Sequence, residues 1–185
     1  MARRLVVVAL FASLSCSDSS GPNTLGSLSF TYSGGGGGTF TSSGTAPSFS
    51  GAPPITTTWA AGYIEAGEMF AGGSRPRSGG RVDLALLRIG RTTSGSETID
   101  PTCDIDGSAA CNGMILFLNF NGNGDTGDFF CGLTSGTIVV TTASNSRARG
   151  TFSGAGQCLA GTGGGVSAFT VTDGQFDVAL VAPPQ

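Results

Sequence analysis

Twelve acidic residues, nine arginines and five cysteines carry nearly all the polar chemistry this chain could perform, because it has no histidine and no lysine. A Ser-His-Asp or Cys-His arrangement cannot be assembled from that set, nor a Ser-Lys dyad, a Schiff base or a His-ligated metal. Paired carboxylates remain, with Glu65 and Glu68 or Asp173 and Asp177 as the pairs that could share proton transfers in the manner of a glycosidase. Such pairs need a deep cleft with converging groups, whereas solvated acids need nothing. The sequence therefore points away from an enzyme, and a small carboxylate-based glycosidase is the third reading of function.

Oxygen donors gather in two places. Asp100, Asp104 and Asp106 precede Gly107, and Asn121, Asn123, Asp125 and Asp128 lie in the run NGNGDTGD. These are ligand types that calcium uses. A strand over 114–120 separates them, and at about 3.3 Å per residue it holds its ends roughly 20 Å apart, so the two groups cannot form one site. No Glu closes a twelve-residue calcium loop in either place, and Asn, Asp and Gly serve a plain turn equally well through their backbone tolerance. No metal or cofactor is expected; if calcium binds, the loop 121–128 is the place.

Trp59 and Tyr63 fall on one face of an extended segment, with Phe70 nearby, and could stack on a sugar or pack into a core. The chain is acidic, with a formal charge of −3. Its scattered arginines leave no footprint for nucleic acid. Arg75, Arg77 and Arg81 form the one basic spot, which could meet lipid phosphates or simply face water.

The N-terminus reads as an export signal. Arg3 and Arg4 precede an apolar run over 5–14, and small residues lead to Cys16. That run is too short to span a bilayer. With Leu14 and Ser15 before Cys16, the segment resembles a bacterial lipoprotein signal. The resemblance implies cleavage before Cys16 and acylation of that cysteine, and Ser17 after it implies sorting to the outer membrane. Ordinary secretion or a periplasmic location is the alternative. Ser17-Asp18-Ser19-Ser20-Gly21-Pro22-Asn23 is polar and rich in turn formers, as a tether should be. The expected organisation is a signal over 1–15, a tether over 16–26 and one domain over 27–182.

Four cysteines remain, Cys103, Cys111, Cys131 and Cys158, which suggests two disulfides with three connectivities open. Zinc-ligand spacing is absent. If a hairpin turns on Ser144-Asn145, Cys131 faces Cys158. Placing Ile138, Val140 and Phe152 on one face requires a register displaced by one residue, so a bulge at Gly154 or Gly156 has to restore it. Cys103 and Cys111 then close the loop 104–110.

With 32 Gly and 8 Pro among 185 residues yet 39% hydrophobic residues, the glycines read as turns in a folded chain. Leu28-Ser29-Phe30-Thr31-Tyr32 alternates, Gly34 to Gly38 break the chain, and Thr39-Phe40-Thr41 returns: a hairpin. Further strands are expected over 57–64, 81–89, 114–120, 137–142, 149–153 and 169–181, the last forming a hairpin or a bulged strand at Asp173-Gly174. No helical period appears. The fold expected is an all-β antiparallel β-sandwich, immunoglobulin-like or of a related Greek-key type, with a small antiparallel β-barrel as the alternative. The order GTIVVTT, RGTFSG, VTDGQFDVAL, with an echo in SFTYSGGGGGTFTSSG, resembles the closing strands of uncharacterised bacterial β-sandwich lipoproteins of the cell envelope. That resemblance implies a fold and a location but no activity. The function expected is an exported, membrane-anchored structural or binding module, whose partner beyond the membrane is a glycan or an envelope protein. A carbohydrate-binding domain using Trp59 and Tyr63 is the runner-up.

Overall fold

A computed structural model describes residues 25–45, 47, 56–103, 111–121, 127–161 and 164–183. The signal, Cys16, most of the tether, and Asp104, Asp106, Asn123 and Asp125 lie outside the described residues. Ten strands follow one another: β1 (Leu25–Ser33), β2 (Gly38–Thr45), β3 (Trp59–Glu65), β4 (Glu68–Pro76), β5 (Val82–Ile89), β6 (Gly95–Thr98), β7 (Gly113–Phe120), β8 (Phe129–Ala143), β9 (Arg147–Ala160) and β10 (Val166–Val181). A single 3-10 turn, Ser78–Gly80, is the one helical element among the described residues.

All ten strands belong to one hydrogen-bonded sheet. From β3 the ladder runs through β4, β5, β7, β8, β9 and β10, and it closes where Ala179, Leu180 and Val181 of β10 pair with Ala61, Gly62 and Tyr63 of β3. That closing pair is parallel, the others antiparallel. The reason is parity: an up-and-down ring with an odd number of strands cannot close without one parallel neighbour. The long strands β8 and β10 make the turn between layers, each taking two partners on one edge. β8 pairs with β7 through 129–132 and with β6 through 137–140; β10 pairs with β1 through 170–177 and with β3 beyond that. The result is a flattened, barrel-like sandwich, with β2, β1, β10, β9, β8 and β6 facing β3, β4, β5 and β7.

Between the layers lies one core. Alternation puts Leu28, Phe30 and Tyr32 of β1 inside, opposite Phe117 of β7, with ring centroids 5.2 Å apart for Phe30 and 4.8 Å for Tyr32. Phe40, Phe152, Phe169, Phe176, Ile138 and Val140 complete it. Fully burying one such side chain contributes about 1.5–3 kcal/mol, so a cluster of this size carries the fold.

Register shifts accommodate the long strands. Ile138 pairs with Phe152 and Val140 with Gly150, while Cys131 pairs with Cys158, and the slip between these registers lies between Leu133 and Ser135. The bulge was expected at Gly154 or Gly156 of β9; it sits in β8, where Thr134 is the extra residue. Both glycines stay in the ladder, Gly154 opposite Gly136 and Gly156 opposite Leu133, with β8 packed closely enough that a Cβ at Gly156 would stand 2.0 Å from the carbonyl of Gly132. A second slip, between Val140 and Thr142, moves the turn one residue along, and the Ser144 amide donates to the Arg147 carbonyl at 2.9 Å. The turn is therefore centred on Asn145-Ser146, not Ser144-Asn145. Around Asp173-Gly174 the chain forms a bulged strand, with Asp173 at φ 54° and the register against β9 shifting between Val171 and Gly174.

Candidate functional site

The two carboxylate pairs end up in ordinary structural roles. Glu65 and Glu68 face each other across the ends of β3 and β4, flanking the two-residue turn Ala66-Gly67. Arg88 binds Glu68 through both arms of its guanidinium, Nε at 2.6 Å and Nη2 at 3.0 Å, which offsets the like charge beside it. Asp177 lies between Arg147 and Arg149, at 2.5 and 3.0 Å. Partial burial pushes its carboxyl up, but hydrogen bonds and charge from the two arginines prevail and hold it below its usual value. Asp173 occupies the strained bulge position instead.

One end of the sheet is polar and tightly connected. Asp83 of β5 is fully closed to solvent, and its carboxylate accepts from Arg75 Nη2 at 2.6 Å, Arg75 Nε at 3.2 Å, Arg77 Nη1 at 3.4 Å and the facing Asn119 Nδ2 at 2.5 Å. Asn119 Oδ1 in turn accepts from Arg81, which also reaches the Gly127 carbonyl at 2.5 Å and Asp128 at 3.0 Å. The Asn121 amide donates to the same Asp128 oxygen at 3.3 Å. Of the calcium ligands expected in the loop 121–128, Asp128 thus already holds a guanidinium, and Asn121 contributes its backbone to that arrangement.

The basic spot is structural as well, and Arg75 lies at the far end of β2 from Leu25. Arg75 Nη1 donates to the Thr39 carbonyl at the start of β2, whereas Leu25, where the described chain begins, pairs with Thr45 at that strand's end. Six residues of strand separate them, roughly 20 Å.

Trp59 and Tyr63 do share the outward face of β3, but Trp59 is only 2% exposed. It packs with Ala61 and Leu84, beside Leu86, Leu118 and Tyr63. Tyr63 is half-buried and stacked on Phe70 with centroids 4.8 Å apart and rings 9° from parallel. Its phenol is pushed above its ordinary pKa by burial and by the charge of Glu65. An open shelf of these two aromatics is not what forms.

What the aromatic expectation missed is the extent of apolar surface on that side. β5 and β7 bury residues on both faces: Leu87, Ile89, Ile115 and Phe117 turn inward, while Leu84, Leu86, Met114, Leu116 and Leu118 turn outward into further apolar clusters. The signal was legible as near-continuous apolar runs, LALL and MILFL, where a one-sided strand would alternate. Pairing carries the outward row from Leu84 to Leu118, Phe130, Leu159 and Val166. Leu159 and Val166 are 53% and 61% exposed. Along the row lie two adjoining hollows of about 230 and 260 Å³, both lined by Phe130 and Leu159.

Both expected disulfides form. Cys131 and Cys158 are joined inside the core, and Cys103 and Cys111 close the loop between β6 and β7. Two disulfides mark an oxidising, exported location. Among the described residues no group of His, Cys, Asp and Glu could hold a metal ion. Comparison with known proteins found no match to any family model, curated protein or solved structure.

Proposed function

We propose that this chain is an exported β-domain tethered to the outer membrane through a lipidated Cys16, working as a structural or binding module of the cell envelope and not as an enzyme. The observation that carries the reading is the Cys131–Cys158 bond, with both cysteines closed to solvent in the core of a chain whose fifth cysteine stands at the end of a signal-like segment. A buried cystine belongs to an exported protein, and the unpaired Cys16 then has acylation as its use. The described chain begins at Leu25, and no helix of the described residues is long and apolar enough to cross a membrane. One chain alone binds marginally; the multiple acylation of a lipoprotein gives stable attachment.

Fractionation tests this. Cys16→Ala should release the protein from membranes into the soluble fraction, with both disulfides intact by peptide mapping. Retention of the variant in the membrane fraction at the parent's level would contradict the anchor. A glycan-binding role through Trp59 and Tyr63 is the weaker reading, since Trp59 is buried.

A further inference from the structure

The two cystines sit in opposite surroundings. Cys131 and Cys158 are 0% and 1% exposed, sealed in the core, so a thiolate reaches them only if β8 and β9 part. Cys103 is partly exposed and lines the smaller of the two hollows, while its partner Cys111 packs with Met114 and Leu116 and is 5% exposed. Of the two sulfurs that the outer cystine could offer an attacker, Cys103 Sγ is the one that faces solvent. The ring it closes spans 8 residues, against 27 for the inner one.

The backbone around the outer cystine is held without it. Just outside the ring, the Asp100 amide donates to the Gly113 carbonyl at 2.8 Å and the Ile99 amide to the Gly136 carbonyl at 3.0 Å, while the Asn112 carbonyl accepts from the Gly90 amide at 2.8 Å. On either side β6 stays paired with β8 and β7 with β5. Opening Cys103–Cys111 therefore removes no rung of the ladder. The flanking bonds keep the two Cα atoms, 5.1 Å apart, within the distance a disulfide spans, so the thiols can rejoin.

We propose that Cys103–Cys111 is a reversible thiol–disulfide exchange site whose reaction partner is a dithiol, and that Cys131–Cys158 is closed to the same reagent. The partner's thiolate attacks Cys103 Sγ from the hollow. A mixed disulfide forms, the Cys103–Cys111 bond breaks, and Cys111 leaves with the electron pair and takes a proton from water. The partner's second thiol then loses its proton and attacks the partner's own sulfur in the mixed disulfide, releasing Cys103, which is protonated in turn. Two electrons and two protons have passed to this chain, and the partner ends as a disulfide. Exposed disulfides are the exchangeable ones, whereas structural ones resist reduction. The site is independent of the anchor and of any ligand.

Graded reduction tests this. The full exported chain carrying Cys16→Ser, which removes the fifth thiol, is incubated at neutral pH with dithiothreitol from micromolar to millimolar, quenched with an alkylating reagent and mapped by peptide mass. Cys103 and Cys111 should be alkylated together, at a rate at least roughly tenfold above that of Cys131 and Cys158. The reduced chain should keep a cooperative melt within about ten degrees of the parent's, and regain the parent's mass and Tm on reoxidation with oxidised glutathione. The side of attack has its own readout: the Cys103 thiol of Cys111→Ser should react with dithionitrobenzoate at least roughly tenfold faster than the Cys111 thiol of Cys103→Ser. Equal rates for those two thiols overturn the proposal. So does opening of Cys131–Cys158 as fast as Cys103–Cys111, or alkylation of Cys103 that rises only as urea unfolds the chain. None of these outcomes touches membrane attachment, which fractionation reads separately.

Discussion

Cys131 faces Cys158 across β8 and β9 with Cα atoms 3.9 Å apart, while Ile138 and Phe152 on the same strands pair one residue out of that register. Thr134, bulged out of the ladder, reconciles the two. It lets β8 turn Cys131 and Leu133 inward on one side of the slip and Ile138 and Val140 inward on the other. Deleting Thr134 should force a choice between disulfide and core: free thiols detectable with a thiol reagent, and a melting transition many degrees lower. A deletion variant with both disulfides and the parent's Tm would show that the bulge does not set the register.

The two disulfides should contribute unequally. Cys131–Cys158 spans 27 residues and Cys103–Cys111 only 8. In the chain-entropy account these correspond to about 3.5 and about 2.5 kcal/mol. Replacing each pair by alanines and unfolding in urea without reductant should reproduce that order, widened by the cavity left in the core at Cys131. Equal or reversed losses would contradict it.

The pairing of Cys131 with Cys158 and of Ile138 with Phe152 was readable in advance, but the turn used to derive it was not: it sits on Asn145-Ser146, and two slips in β8, where one bulge had been expected in β9, make up the difference. The β1–β2 hairpin was readable for a simpler reason, a strict alternation of Leu28, Phe30 and Tyr32 ending in five glycines. β4 was not: Ala71-Gly72-Gly73-Ser74 has almost no side chain to show a period, and it is a strand because β3 and β5 pair with it on both edges. Four-residue β6 is too short to show a pattern. Long-range partners were invisible as well, since nothing in the spacing of Asp83 and Asn119 says that β5 and β7 will set them face to face.

Asp83 should be the most costly polar residue to lose. Asp83→Ala strands Arg75 and the Asn119 amide in a largely buried place, and breaking a buried pair from one side costs about 3–5 kcal/mol, the lower end applying because Arg75 keeps some solvent contact. Urea unfolding measures this. A loss below 1 kcal/mol would mean that the network contributes little to the fold.

Asp177 predicts a pH dependence. Its folded carboxyl titrates below the unfolded value, so the stability it adds is present above the unfolded pKa, about 3.9, and disappears as pH falls through the folded one. Asp177→Asn should therefore be less stable than the parent at pH 7, by less than about 1 kcal/mol because the pairs are largely solvated, with the difference disappearing as pH falls through the folded value. A gap that stays constant down to pH 2 would exclude the carboxylate as its source.

The turn between β3 and β4 holds a conformation its sequence does not favour. Ala66 has φ 51° and Gly67 φ 85°, the left-handed pair of a type I′ hairpin turn, and Ala66 carries a Cβ where Asn or Gly is the usual choice. The left-handed region costs an L-residue with a Cβ roughly 1–2 kcal/mol. Ala66→Gly removes that strain but loosens the unfolded chain, which returns part of the gain, so a net stabilisation of about 0.5–1 kcal/mol is expected. Ala66→Asn should gain at least as much, because it relieves the strain without glycine's added freedom. Thermal melts of both variants decide it: a lower Tm in both would mean that the turn is held by contacts of the Ala66 methyl and not strained at all.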